Sequence, residues 1–169
     1  VRDRVSEAEA ITAHDACVVA AAERARALYL NVARCTLGEA DERKALGLEP
    51  IADGGVSLRA AARLCSNAIA VSAVLKPSEA LDPDAALAAA SASTASLGTA
   101  FYLRARLLCL WGHVREARAD CDAADRLLPP DKRAQVAALR AALTGRAEEI
   151  QRDYKKLVKS MSRWLDSSV

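Results

Sequence analysis

Apolar residues recur at helical spacing along most of this chain, and Gly and Pro interrupt the pattern at a few places. Residues 1–37 contain neither, and Ile11, Val18, Val19, Leu28, Val32 and Cys35 follow that period, which predicts two helices or one long bent one. The pattern breaks over 38–57, where Gly38, Gly47, Pro50 and the pair Gly54 and Gly55 read as a surface loop. Ser57 suits the N-cap of a helix over 58–75, with Ala61, Leu64, Cys65, Ala68 and Ile69 on one face and Pro77 just beyond its end. The stretch 77–97 (PSEALDPDAALAAASASTASL) is low in complexity and reads as a loop, with a helical turn or two available at 85–90. Segments 98–111 and 114–128 form a tight hairpin about Gly112, stopped by Pro129 and Pro130. Asp131 is placed to cap a helix to about 143, and after Gly145 a last amphipathic helix covers 146–166, for six or seven helices in all.

Composition turns this pattern into a fold class. The 52% of hydrophobic residues are mostly Ala and Leu, with 4% aromatics and seven glycines, a mixture that favours helices and gives strands little to pack with. The expectation is one all-α domain spanning 1–169, a length suited to a single contiguous core. A net charge of +2 supplies no general field for nucleic acid, so charge-driven binding must be local. No uncharged run approaches the ~18 residues of a membrane span, and no signal-peptide pattern opens the chain. Five cysteines without a CxxC pair lie in Ala/Leu-rich segments, which fits reduced core thiols in a cytoplasmic setting, with Cys17, Cys65 and Cys121 expected between helices. The start at Val1 rather than Met suggests a fragment of something longer.

An internal repeat is visible in the helical pattern. Phe101, Ala105 and Leu108, a turn at Gly112, then Ala117, Cys121, Ala124 and Pro129 follow the order large, small, large and then A-x3-F-x2-A and Pro, with Cys121 in place of the aromatic. Tyr29, Ala33 and Thr36 resemble the first helix of another unit and Ala61, Cys65 and Ala68 its partner, separated by the 38–57 insertion. The run Glu9, Ala10, Ile11, with His14 and Cys17, resembles the second helix of a partial first unit over 5–24. The units at 26–75 and 98–130 thus resemble tetratricopeptide repeats. With LYLNVARC at 28–35 and a long final helix, the chain is similar to the tetratricopeptide domain of FKBP-type immunophilins and related chaperone-binding proteins. The resemblance implies a helical-hairpin solenoid with a C-terminal extended helix. The competing reading is a generic α-helical bundle whose alanines reflect composition alone.

Groups for catalysis are sparse. His14 and His113 are the only histidines, neither lies in a metal-binding spacing, and there is no GxSxG or glycine-rich phosphate loop, so neither catalysis nor a cofactor is expected. In tetratricopeptide arrays the first helix of each pair lines a concave groove, which here designates the stripes Ala27, Leu30, Asn31, Arg34 and Thr99, Tyr102, Leu103, Arg106. The resemblance also implies a carboxylate clamp for the EEVD terminus of cytosolic heat-shock chaperones. Of its residues Asn31 matches, the first-unit positions lie upstream of Val1, and Thr99 and Leu103 stand where Lys and Arg are called for, so ordinary clamp binding is not expected. Arg34 and Arg106, one turn further on, offer a shifted basic stripe or are solvated surface arginines.

The final helix places Ile150, Leu157, Val158, Met161, Trp164 and Leu165 on one side and Lys155, Lys156, Lys159 and Arg163 largely on the others. One reading makes it the cap that closes the solenoid, and the expectation is an intermediate one, with Leu157 and Val158 docked on earlier helices and the segment beyond Met161 loosely held. The other makes its end a free basic amphipathic partner helix of the calmodulin-target type, anchored by Trp164. The function expected from the sequence is peptide or protein binding by a co-chaperone or immunophilin-like scaffold, any prolyl isomerase domain lying upstream. The alternative is a structural assembly subunit, its solenoid buried against a partner or a second copy.

Overall fold

The computed structural model describes the backbone of residues 2–48, 57–74 and 83–166 and the side chains of 16–48, 57–72 and 91–164. Five α-helices account for nearly all of these: α1 (Arg2–Ala45), α2 (Leu58–Val74), α3 (Pro83–Trp111), α4 (Val114–Leu127) and α5 (Arg133–Asp166), with a short 3-10 turn at Pro130–Lys132 before α5. No strand occurs among the described residues. Each helix packs on its successor, and α1 with α3 and α3 with α5 also touch.

Local chemistry explains the ends. Ser57 caps α2 as expected, its Oγ accepting the Ala60 N–H at 3.1 Å. Both α1 and α3 close on a glycine with positive φ, Gly47 at 71° and Gly112 at 88°. In each case the N–H of the residue after the glycine reaches back five residues, Leu48 to the Arg43 carbonyl at 2.9 Å and His113 to the Leu108 carbonyl at 2.8 Å, while the glycine N–H reaches back three. This paired arrangement satisfies the last carbonyls, and a residue without Cβ adopts it at least cost.

Three boundaries differ from the sequence expectation. Helix α1 is continuous from Arg2 to Ala45, so 5–24 and 26–37 share one helix, and it passes through Gly38 into the stretch expected to be loop. Burial of Leu37 and Ala40 outweighs the cost of about 1 kcal/mol for a mid-helix Gly. Helix α3 begins at Pro83, inside the expected 77–97 loop. The alanine bias there is helix propensity rather than disorder, and Pro at the first helical position forfeits no intrahelical hydrogen bond. Finally, α5 runs unbroken through Gly145, where two helices were expected, which makes five α-helices among the described residues instead of six or seven.

Two apolar clusters form the core, and α3 contributes to both. Leu30, Ala33 and Leu37 of α1 meet Leu58, Ala61, Cys65 and Ala68 of α2 and Ala100, Leu103 and Leu107 of α3. On its other side α3 offers Ala105 and Leu108 to Ala117, Cys121 and Ala124 of α4, to Leu128, and to Val136 and Leu143 of α5. Cys65 and Cys121 are buried as expected, whereas Cys17 lies on an exposed stretch of α1 that nothing covers among the described residues, which corrects its assignment to the core.

Gly98 marks a close approach of α3 to the end of α4. A Cβ there would stand 3.0 Å from the Leu127 Cβ, 3.0 Å from the Leu128 Cγ and 3.1 Å from the Leu127 carbonyl carbon. The last of these is backbone and cannot rotate away. Gly98→Ala should therefore destabilise the fold by about 1–3 kcal/mol despite alanine's better helix propensity. Gly38→Ala and Gly145→Ala meet nothing within 4 Å and should stabilise it, by up to about 1 kcal/mol each. Urea denaturation of the three variants checks the opposite signs.

Candidate interaction surfaces

The face formed by α1, α3 and α5 carries the groove residues expected from the sequence, and most of them are already engaged. Asn31 and Arg34 are exposed one turn apart, the Arg34 guanidinium donating to the Asn31 Oδ1 at 2.8 Å. Arg106 donates to the Asp41 carboxylate at 2.6 Å, tying α3 to α1. The Thr99 hydroxyl turns back to the Ala95 carbonyl at 2.9 Å, and Tyr102 is half-buried against both core clusters. Leu103 is not a groove residue: only 5% exposed, it belongs to the core shared by α1, α2 and α3, as does Leu30 of the other stripe. The shifted basic stripe is thus interrupted by the Asp41 pairing, with Arg34 its more exposed member. Further along the same face a cavity of about 520 Å³ lies between Lys44 and Leu48, Cys109 and Leu110, and Ala142, Gly145 and Arg146.

The second surface is the C-terminal half of α5. Val136 and Leu143 are its last buried residues, and from Thr144 to Trp164 every residue except Ala147 is exposed. Leu157 and Val158, expected to dock on earlier helices, are 57% and 43% exposed, and Trp164 is 68% exposed, so the helix does not act as a cap along its length. Among the described residues this half extends past α4, the neighbour of α5, which is only 14 residues long while α5 has 34. The overhang, about 17 residues from 148 to 164, extends roughly 25 Å at 1.5 Å per residue. Its apolar side presents Ile150, Tyr154, Leu157, Val158, Met161 and Trp164. Lys155, Lys156 and Lys159 are exposed beside them, Lys156 sharing the Asp153 carboxylate at 3.2 Å.

The most connected polar group escaped the sequence reading. Arg104 of α3 donates from Nε and Nη2 to the two oxygens of Asp120 on α4, both at 2.7 Å, and from Nη1 to the Ser66 Oγ of α2 at 3.0 Å. Its guanidinium also lies 5.4 Å from the centre of the Phe101 ring. Asp120 is 5% exposed, and its hydrogen bond to Arg104 raises the arginine further above its ordinary range. A signal was available in the sequence: Asp120 shares helical spacing with Ala117, Cys121 and Ala124, and an acid on a small-residue face needs a buried partner. By contrast, Arg140 holds Asp122 at 2.7 Å and Asp125 at 3.1 Å between α5 and α4 at the surface.

Burial pushes the Cys65 thiol up to about 12 and the Cys121 thiol up to about 11, so both stay protonated and unreactive at neutral pH. Among the described residues no cluster of His, Cys, Asp and Glu could hold a metal ion, and no helix is long and apolar enough to cross a membrane. No protein-family model, curated protein or solved structure matches the chain.

Asp120→Ala should cost about 2–4 kcal/mol, because it strands a part-buried guanidinium, whereas Arg140→Ala, removing surface pairs, should cost under about 1 kcal/mol. The urea midpoints of the two variants decide this. Thiol labelling of the native chain should be rapid at Cys17 and Cys35 and should reach Cys65 and Cys121 only on unfolding. Because the folded pKa of Cys65 exceeds the ordinary thiol value of 9.0, the unfolded chain loses its proton first. The contribution of this group to stability is therefore complete below pH 9 and is lost as the pH rises towards 12, a trend that Cys65→Ala should flatten.

Proposed function

We propose that the chain is a non-catalytic protein-interaction module of tetratricopeptide-like helical hairpins, a co-chaperone or immunophilin-like scaffold whose main contact is the overhanging half of α5. The observation that carries this reading is the overhang itself: about 25 Å of helix with Tyr154, Leu157, Met161 and Trp164 turned to solvent on one side. Exposed apolar area on that scale, rimmed by Lys155, Lys156 and Lys159, is what a helix-in-groove partner requires. The pairing of successive helices, with added contacts between α1 and α3 and between α3 and α5, supports the hairpin-array reading. A cytoplasmic setting is part of this proposal and rests on the sequence, whose five cysteines include no CxxC pair.

The α1, α3 and α5 face has the weaker claim to an acidic peptide terminus. With Thr99 hydrogen-bonded to its own helix, Leu103 in the core and Arg106 held by Asp41, it lacks the converging cations of a carboxylate clamp. A second reading, an assembly subunit buried against another copy, is favoured by the exposed Val18, Val19 and Leu28 on α1, an apolar set separate from the arm.

Leu157→Ala with Trp164→Ala should leave thermal stability within about 0.5 kcal/mol, since both side chains are more than half exposed. The same pair should abolish retention of the specific partners held by the native chain in affinity purification, as judged by mass spectrometry. Unchanged retention would remove the arm from the function. Sedimentation velocity separates the two readings, a monomer agreeing with the scaffold and a dimer that Val18→Asp dissociates agreeing with the assembly subunit. An EEVD-terminated peptide should show no binding that depends on its terminal carboxylate; micromolar binding lost in calorimetry on amidating that carboxylate would restore the clamp.

A further inference from the structure

A groove of about 410 Å³ opens between α2, the end of α3 and the start of α4, apart from both surfaces above. Its size falls within the range of about 300–1,000 Å³ typical of ligand pockets. Each wall is one helix face: Arg59, Ala62, Arg63 and Ser66 from α2, Arg104, Leu108 and Trp111 from α3, and Glu116 and Asp120 from α4, with His113 at the turn.

The charges in this groove do not cancel. Asp120 is consumed by Arg104, and Glu116 faces the His113 ring at 3.4 Å, its own backbone N–H and then that ring holding its carboxyl below the usual range. Arg59 and Arg63 remain. Both are exposed, and among the described residues neither forms an ion pair. They stand one turn apart in the first two turns of α2, where the helix dipole adds to their positive field. Between them and the opposite wall lies an apolar floor, Ala62 and Leu108, bounded by Trp111, which is 37% exposed and whose ring lies tilted against the His113 ring with centroids 4.1 Å apart.

We infer that this groove binds an acidic peptide segment of another protein, with Arg59 and Arg63 each taking a carboxylate and an adjoining apolar side chain seated on Leu108 and Trp111. Side chains two apart on an extended peptide are separated by about 7 Å, close to the ~6 Å between successive turns of one helix face, so a Glu-x-Glu pair spans the two arginines. Free phosphate would satisfy the cations but leave the apolar floor uncovered. The inference does not depend on the α5 arm.

The test uses the full 169-residue chain and a fluorescein-labelled peptide, Gly-Glu-Ser-Glu-Leu-Gly, followed by anisotropy. Arg59→Glu with Arg63→Glu should weaken binding by about tenfold or more, since both residues contribute charge-assisted hydrogen bonds. The Lys155→Ala, Lys156→Ala, Lys159→Ala variant should bind as the native chain does. Replacing the peptide's Leu by Ser should weaken binding further, and raising salt should weaken it overall. In a Trp164→Ala background Trp111 is the sole tryptophan, and the peptide should shift its emission, a reading that needs no change within the groove. The inference fails if the peptide does not bind, if reversing both arginines leaves binding unchanged, or if Trp111 emission does not respond. It also fails if inorganic phosphate displaces the peptide completely while Leu and Ser peptides bind alike, which would make this a site for anions alone.

Discussion

Asp120 faces inward from α4 and accepts an N–H of Arg104 at each of its two oxygens, and the third arm of that guanidinium donates to Ser66 on α2. A carboxylate at 5% exposure costs several kcal/mol to desolvate unless it is paired and hydrogen-bonded, so the pair tolerates little displacement. The planar fork of arginine fixes direction as well as distance, which sets the register of α3 against α4. Ser66 then brings α2 into the same register, its own hydroxyl proton directed to the Ala62 carbonyl at 3.1 Å. Three helices are thus held at one level by one cation, and the groove above them takes its shape from that constraint.

The small residues make this arrangement accessible. Ala33, Ala61, Cys65, Ala68 and Ala100 on one side of α3, and Ala105, Ala117, Cys121 and Ala124 on the other, are fully buried, allowing helix axes to approach closely. Large side chains fill what remains, chiefly Leu37, Leu107, Leu143 and Val136. Gly98 extends the same logic to its limit, where even a methyl group would meet backbone.

Helix class, the cap at Ser57, the turn at Gly112 and the buried Cys65 and Cys121 were legible in the sequence because each depends on a local signal or on spacing along one helix. Boundaries at 38, 83 and 145 were not, because Gly38 and Gly145 are tolerated inside helices and an Ser/Ala-rich run has helix propensity as well as low complexity. Leu103 illustrates a different limit. Its position on α3 follows from periodicity, but which side of a doubly packed helix faces the groove depends on where α1 and α2 lie. Arg104, Asp120 and Ser66 come from three helices, and no spacing within any one of them shows that they meet.

The continuity of α5 through Gly145 changes the thermodynamics of anything that docks on its outer half. A short helix standing alone must meet the cost of nucleation, whereas here Val136 and Leu143 already hold the first turns in place and the rest only propagates. A partner meeting Tyr154, Leu157 and Met161 therefore finds the backbone ordered, and immobilising side chains, at about 0.5–1.5 kcal/mol for each long one, is the main entropic loss left to offset.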